Sequence, residues 1–174
     1  GEKTMIRSFG GKTPQVAESA FVSEAAYVIG DVEIGEGSGI FPGAVLRGDF
    51  ANIKVGKHTM IEDNCVVHCG TPLEIGDNNT IGHGVVIHGT SIGSHCLIGN
   101  HATILDDSRI GNNCVIGAGC LVTVGMVVPD NSLVMGIPGV IQEMHDAMKK
   151  RRQNRGISPY IDLVRRYKEQ QELG

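Results

Sequence analysis

The sequence contains no tryptophan and few other aromatic residues: three tyrosines and four phenylalanines make up 4% of its 174 residues. A core without large rings has to be narrow and filled by aliphatic and small side chains. Glycine is frequent, at 25 residues, but it follows no Gly-X-Y period, which excludes a collagen triple helix. Since hydrophobic residues make up 41% of the chain, the sequence predicts a folded protein with a slender aliphatic core.

Strong charge and long apolar runs are absent as well. The formal net charge of −4 gives no electrostatic support for nucleic acid as a partner. No apolar run approaches the roughly 20 residues of a membrane span, and the N-terminus lacks the apolar stretch of a signal peptide, so we expect no membrane partner. Five cysteines are an odd number in a chain too large to need a disulfide framework. We therefore expect reduced thiols and a cytoplasmic location.

A six-residue repeat of aliphatic residues dominates the sequence. Isoleucine, valine or leucine stands at every sixth position in four runs, which together contain 21 such positions. The runs cover residues 16–46, 55–67, 75–87 and 92–140. The fifth residue of each unit is usually small, and polar or glycine-rich pairs separate the units. Neither a helical nor a strand period explains this spacing, so it favours a tightly coiled solenoid over a helix bundle or a β-sandwich.

This repeat resembles that of the hexapeptide-repeat family over residues 16–140. The resemblance implies an all-β solenoid, a left-handed parallel β-helix in which three repeats form one triangular coil. Its hand is an exception to the right-handed rule for parallel connections. Twenty-one units make about seven coils. We expect residues 1–15 to be a lead-in and residues 141–174 to form a helical appendage packed along the prism.

Three steps in the repeat differ from six residues. The step from Leu46 is nine residues, the step from Val67 is eight and the step from Ile87 is five. These positions are three units apart, and three units make one coil, so the breaks fall on one face in successive coils. Irregular places in an otherwise regular repeat are where function is expected.

The residues that directly follow these positions are Arg47, His68 and His88, which should form a column with one member per coil. Neighbouring strands lie about 4.8 Å apart, which lets two imidazoles bind one metal through bonds of about 2.0–2.1 Å. His83 belongs to the preceding unit, on the neighbouring face, and should point elsewhere. One chain would then supply two ligands, and His83 of a neighbouring chain would supply the third.

The cysteines divide into two groups. Four occupy the small inward position of the repeat, where we expect core residues: Cys65, Cys96, Cys114 and Cys120. Cys69 lies outside that position, beside His68. A fourth metal ligand, a reactive thiol and no role in the site therefore all stay open for Cys69.

Three motifs resemble the signature of the γ-class carbonic anhydrases, a branch of the same family. They are Arg47-Gly48-Asp49, Glu62-Asp63-Asn64-Cys65-Val66-Val67-His68 and Gly82-His83-Gly84-Val85-Val86-Ile87-His88-Gly89. The resemblance implies that His68, His83 and His88 bind zinc at the interface of a homotrimer, and that the substrate is CO2 or bicarbonate. Iron and cobalt are the other metals considered, because sites of three histidines accept several.

The same resemblance assigns roles to further residues. Arg47 and Asp49 match an interfacial Arg–Asp pair of the family. Tyr160 resembles a tyrosine of the C-terminal helix that reaches the site. Position 62 is glutamate, where many members have a glutamine that helps to place the solvent on the metal.

The family's acidic loop, which carries a proton-shuttle glutamate, has no counterpart in this sequence. Only the short segment 69–74 follows His68, and Glu74 is its one carboxylate. Together with the glutamate at position 62, the missing loop predicts slow turnover, whereas it does not affect the prediction of metal binding.

The predicted reaction is the reversible hydration of CO2 to bicarbonate. Three neutral imidazoles leave one metal position open for water, which is typical of a catalytic site. Glu62 is the candidate base that takes up the proton, and Asp63, which has the same place in its unit as His83, would orient that imidazole.

Two other classes of function stay open. A CoA-dependent acyltransferase would use one histidine as a base, but the sequence offers no separate feature for CoA. The other class is a metal-binding hexapeptide protein without anhydrase activity, such as a thioesterase, another hydrolase or a scaffold. The missing shuttle loop favours this class over the transferase.

Overall fold

The computed structural model describes residues 5–155 and 158–173, which contain twenty short strands followed by two helices. The strands are β1 (Met5–Arg7), β2 (Gln15–Val16), β3 (Phe21–Val22), β4 (Tyr27–Ile34), β5 (Gly39–Ile40), β6 (Val45–Val55), β7 (Met60–Ile61), β8 (Val66–His68), β9 (Leu73–Ile75), β10 (Thr80–Ile81), β11 (Val86–Ile87), β12 (Ser91–Ile92), β13 (Leu97–Ile98), β14 (Thr103–Ile104), β15 (Arg109–Ile110), β16 (Val115–Ile116), β17 (Leu121–Val122), β18 (Val127–Val128), β19 (Ser132–Met135) and β20 (Val140–Glu143). The helices are α1 (Asp146–Arg155) and α2 (Ser158–Leu173).

The strands form three parallel ladders, one on each face of a triangular prism. The first face joins β1 and the starts of β4 and β6 to β8, β11, β14 and β17. The second joins β2 and the ends of β4 and β6 to β9, β12, β15 and β18. The third joins β3, β5, β7, β10, β13, β16 and β19, and β20 closes it as an antiparallel strand. The predicted left-handed parallel β-helix of about seven coils is confirmed.

The core is a stack of aliphatic side chains, with one from each short strand. On the third face Ile61, Ile81, Ile98 and Ile116 pair in register in successive coils and are fully buried. Burying one such side chain contributes about 1.5–3 kcal/mol. Because three of them fill each coil, the interior has no room for a ring, which explains the scarcity of aromatic residues.

The second inward position of the third face carries a column of hydrogen bonds. Ser38 Oγ, Thr59 Oγ1 and Asn79 Nδ2 each donate to a carbonyl oxygen of the next coil, at 2.7, 2.7 and 2.8 Å. Asn79 Oδ1 accepts from the backbone N–H of Cys96 at 2.7 Å. The four cysteines predicted for the inward position are all buried, so that prediction is confirmed.

The corners between faces are turns that place residues in the left-handed region of backbone space. Among the described residues, those other than glycine with positive φ are His58, Asn64, Asn78, His95, His101, Asp107, Asn113 and Asn131. Such short polar and imidazole side chains are the ones that tolerate this conformation. At Gly84 both conformation and space require glycine, since its φ is +67° and a Cβ would lie 2.5 Å from the His101 ring.

Both helices pack on the third face, as the expected C-terminal appendage. In α2, Val164 is buried and Tyr160 packs beside it against a cluster that includes Met60. In α1, Met148 packs against a second cluster, around Leu133, farther along the prism. Among the described residues, the helices pack on the third face and not on the first. No helix in the described part of the chain is long and apolar enough to cross a membrane.

Candidate metal centre

His68 and His88 lie side by side on the first face. The ladder pairs Arg47 with His68, and Val67 with Ile87, so the residues after Val67 and Ile87 are neighbours in successive coils. The Nδ1 atom of His68 is 3.1 Å from the Nε2 atom of His88. Two imidazoles on one tetrahedral metal have nitrogens about 3.3 Å apart, from bonds of about 2.05 Å. The predicted adjacency of these two histidines is confirmed, and their metal binding stays a proposal.

Asp49 holds the far side of the His68 ring. Its Oδ1 atom is 2.9 Å from His68 Nε2, and its Oδ2 atom pairs with the guanidinium of Arg47 within the same chain. Burial opposes ionisation of Asp49, but the hydrogen bonds from Arg47 and His68 together lower the pKa of its carboxyl group. Arg47, Asp49 and His68 are therefore linked by contacts within one chain, and the pairing of Arg47 with Asp49 across an interface stays a prediction.

Asp106 holds the far side of the His88 ring, a contact that the sequence reasoning missed. Its Oδ1 atom is 2.7 Å from His88 Nδ1. The signal was available in the repeat: Ile87 pairs with Ile104, so Leu105 lies above His88 and Asp106 begins the corner that follows.

His83 lies at the corner between β10 and β11, away from the other two histidines. Its Nδ1 atom is 3.0 Å from Asp63 Oδ2, the contact that was predicted, and 4.0 Å from Glu62 Oε2. Within the described residues, the one group of three or more potential ligands whose atoms lie within 4.8 Å of one another is Glu62, Asp63 and His83. The three histidines therefore do not converge within one chain.

Glu62 is a buried carboxylate with an unsatisfied oxygen. The residue is 7% exposed, and its Oε1 atom is inaccessible and has no hydrogen-bond partner among residues 5–155 and 158–173. Burial is the main cause that raises the pKa of this carboxyl group above its usual value. An orphaned buried oxygen close to His83, together with an imidazole set in which each ring is backed by its own carboxylate, fits a site for a divalent metal.

We expect Glu62→Gln to stabilise the metal-free protein progressively as the pH rises. Because the folded-state pKa of Glu62 lies above the unfolded value of 4.5, ionisation penalises the fold. The contribution of Glu62 to stability is therefore greatest below the unfolded pKa and is lost as the pH rises through the folded pKa. Glutamine cannot ionise, so the gain in unfolding free energy should be larger at about pH 7 than at about pH 4. Urea unfolding of both chains with chelator measures it, with exposed Glu74→Gln as control; equal gains at both pH values would contradict it.

Tyr160 and Glu74 lie outside this arrangement of histidines and carboxylates. Tyr160 packs on the third face against the cluster of Phe21, Phe41, Met60 and Val164, and the described residues show no contact between it and a site histidine. Glu74 is an exposed residue of β9 on the second face.

Cys69 points into the core rather than toward His68. It is 1% exposed, and its Sγ atom lies 3.9 and 3.8 Å from the carbonyl oxygens of Ala51 and Asn52. Burial raises the pKa of its thiol, which keeps it protonated at neutral pH. The interpretations of Cys69 as a fourth ligand or a reactive thiol were wrong, because the loop that follows β8 turns this side chain inward.

Comparison with known proteins supports a family assignment. Residues 72–105 and 89–123 match the profile of the family described as bacterial transferase hexapeptide (six repeats). A probable carbonic anhydrase of Methanocaldococcus jannaschii is 48% identical over 132 residues, which cover 74% of this chain and 83% of that protein. The carnitine operon protein CaiE of Escherichia coli is 37% identical over 163 residues, or 91% of this chain and 82% of that protein.

Solved structures show the same fold. The crystal structure of a putative acetyltransferase from Bacillus cereus has a TM-score of 0.90 at 34% identity, and the match covers 95% of this chain and 97% of that one. Relatives named carbonic anhydrase match at 41–48% identity, although the chain spans less than half the length of the γ-class enzymes of Arabidopsis thaliana. Taken with the repeat and the two histidine-bearing motifs, these matches show that the chain belongs to the γ-carbonic anhydrase-like branch of the hexapeptide-repeat family.

Proposed function

We propose that this protein is a metal-dependent enzyme that hydrates CO2 reversibly to bicarbonate, at sites shared between the chains of a homotrimer. The observation that carries the proposal is the division of the three histidines. His68 and His88 converge to 3.1 Å, whereas His83 projects from a different corner beside its own carboxylates. The high identity to a probable carbonic anhydrase over most of that protein's length supports the same activity.

The first face supplies a surface for a second copy of the chain. Val66 and Val86 are 41% and 38% exposed on its outer side, and they flank the positions of the site histidines. When a second copy covers exposed aliphatic residues on a flat parallel ladder, their burial lowers the free energy of the assembled state. A head-to-tail contact between this face and the His83 corner of the next chain closes into a ring when it is repeated three times.

Zinc is the proposed metal, and iron and cobalt suit the same imidazole ligands. When bound, such a metal would supply Lewis-acid chemistry, because it lowers the pKa of water to about 7 and so makes hydroxide available at neutral pH. The protein's own carboxylates keep the rings in place: Asp49 behind His68 and Asp63 behind His83.

Glu62 is the proposed proton acceptor. The hydration of CO2 by water yields bicarbonate and one proton, and that proton has to leave the site. Glu62 Oε1 has no hydrogen-bond partner in the described part of the chain, and burial raises the pKa of the carboxyl group above its usual value, which makes the carboxylate a stronger base. The proton then passes from Glu62 to buffer, since the short segment 69–74 carries no acidic shuttle loop.

A second candidate is a CoA-dependent acyltransferase, which is favoured by the near-complete structural match to the putative acetyltransferase of Bacillus cereus. That chemistry needs one histidine as base and no metal. An activity that survives chelation and depends on acyl-CoA would therefore replace the proposal.

Stopped-flow CO2 hydration with anaerobically metal-loaded protein tests the proposal. We expect a metal-dependent rate that His88→Ala reduces to the rate of buffer alone and that Glu62→Gln lowers by about 10²–10⁴-fold. His95→Asn is the matched control, and its rate should equal that of wild type. Position 95 is an exposed corner with positive φ, and the equivalent corners at Asn78 and Asn113 already carry asparagine.

Two outcomes of this assay would overturn the proposal. One is a wild-type rate no greater than that of buffer although one metal is bound per chain, which would indicate a different small substrate at the same metal. The other is an undiminished rate in His88→Ala. Faster turnover in Glu62→Gln would remove Glu62 from the role of base.

A further inference from the structure

Asp106 determines which nitrogen of His88 carries the hydrogen. Its Oδ1 atom lies 2.7 Å from His88 Nδ1, and an ionised carboxylate can only accept a hydrogen bond. The hydrogen of the neutral ring is therefore on Nδ1, and the lone pair is on Nε2. A neutral ring that points its lone pair in a defined direction is what metal binding requires.

Asp49 imposes the opposite tautomer on His68. The Nε2 atom of His68 donates to Asp49, which leaves its lone pair on Nδ1. The two lone pairs consequently face each other across the 3.1 Å gap between His68 and His88. Two acceptors at this distance repel each other unless a cation lies between them, so the two carboxylates together direct both rings at one binding point.

We propose that Asp106 is a positioning residue for metal binding, which holds His88 in the tautomer and orientation that its metal-binding nitrogen needs. This inference deepens the proposed function and rests on its metal site. Loss of a carboxylate that accepts a hydrogen bond from a metal-binding histidine typically weakens metal affinity by about 10–100-fold. The sequence motifs of the branch end at Gly89 and do not include Asp106.

Asp106 has little part in holding the fold together. Its side chain is 54% exposed, and within the described residues the contact with His88 is its one side-chain hydrogen bond. An exposed pair of this kind contributes little to stability. Asp106→Ala should therefore fold normally, and a change in its metal affinity can be attributed to the site.

Zinc affinity, measured by competition with a chelator of known affinity, tests the proposal. We expect Asp106→Ala to bind zinc about 10–100-fold more weakly than wild type. Asp106→Asn should lose less, because its amide oxygen still accepts a hydrogen bond from Nδ1. Asp107→Asn is the matched control: it removes the same charge one residue away, at an exposed position whose φ of +57° asparagine tolerates, and it should bind zinc like wild type.

Nitrogen-15 NMR of the histidine rings gives a second readout, which a merely structural role would not change. In zinc-loaded wild type the hydrogen of His88 should be on Nδ1, and the Nδ1 signal should shift in Asp106→Ala. Wild-type affinity and an unchanged His88 signal in Asp106→Ala would overturn the proposal. Equal losses in Asp106→Ala and Asp107→Asn would also overturn it, because they would reflect charge alone.

The outcomes separate this inference from the proposed activity. If wild type binds zinc but does not hydrate CO2, and Asp106→Ala still weakens zinc binding, the activity is wrong and the positioning role stands. If CO2 hydration is found and Asp106→Ala binds zinc normally, the activity stands and the positioning role is wrong. A wild-type protein that binds no zinc would overturn both.

Discussion

Mixing His83→Ala chains with His88→Ala chains is expected to restore metal sites that neither variant forms alone. Each proposed site takes His83 from one chain and the pair of His68 and His88 from the next. An intact site therefore arises wherever a His88→Ala chain presents its own His83 to a His83→Ala chain. In randomly assembled trimers this arrangement occurs at about one quarter of the interfaces.

The experiment co-refolds equal amounts of the two variants and measures bound zinc per chain and the CO2 hydration rate. Each variant alone should bind no zinc at the shared site, and the mixture should reach about one quarter of the wild-type values. A mixture of His68→Ala with His88→Ala is the matched control. It should recover nothing, because both changes lie on the same side of the interface. Failure of the first mixture, or recovery by the control mixture, would contradict the shared site.

Ile98→Ala is expected to lower the free energy of unfolding by about 2–5 kcal/mol, the range for a large side chain removed from a packed core. Ile98 is fully buried on the third face, between Ile81 and Ile116 of the neighbouring coils. In a solenoid each coil contacts only its neighbours, so a cavity in the middle of the prism weakens two interfaces between coils at once.

Urea unfolding monitored by circular dichroism measures this loss, with Val127→Ala as the matched control. Val127 lies on the second face, points outward and is 63% exposed, so its truncation should change stability by less than about 0.5 kcal/mol. Similar losses in the two variants would show that stability does not come from the stacked aliphatic column.

The solenoid could be predicted from the sequence because one simple geometric condition recurs in every unit. Each short strand turns one aliphatic side chain inward, so a single period of six residues describes the burial of Ile98, Ile104 and Ile110 alike. The adjacency of His68 and His88 followed from the same arithmetic. Both residues come directly after an inward residue, and parallel strands in register keep equal positions together.

Asp63 beside His83 followed from the repeat, but the carboxylates beside His68 and His88 could not be predicted in the same way. Asp49 lies in β6 where its pairing with β4 shifts register, and Asp106 lies at a corner, so the direction of each side chain depends on local geometry rather than on the repeat. Glu74 is closer to His68 in sequence than Asp106 is, yet it lies on another face of the prism. Cys69 follows His68 directly and nevertheless points into the core. Closeness in sequence carries little information at a corner of a triangular coil.

By itself the sequence determined the coil, its approximate length and the two histidines that share a column, because these follow from periodic burial of aliphatic side chains. The tertiary structure alone decided that Asp49 supports His68, that Asp106 supports His88, and that Glu62 Oε1 is buried without a hydrogen-bond partner among the described residues. The physical reason is that periodic burial specifies the coil, whereas individual hydrogen bonds specify the site. Burial repeats from coil to coil, whereas a hydrogen bond depends on distances of a few tenths of an ångström that only the folded corners set.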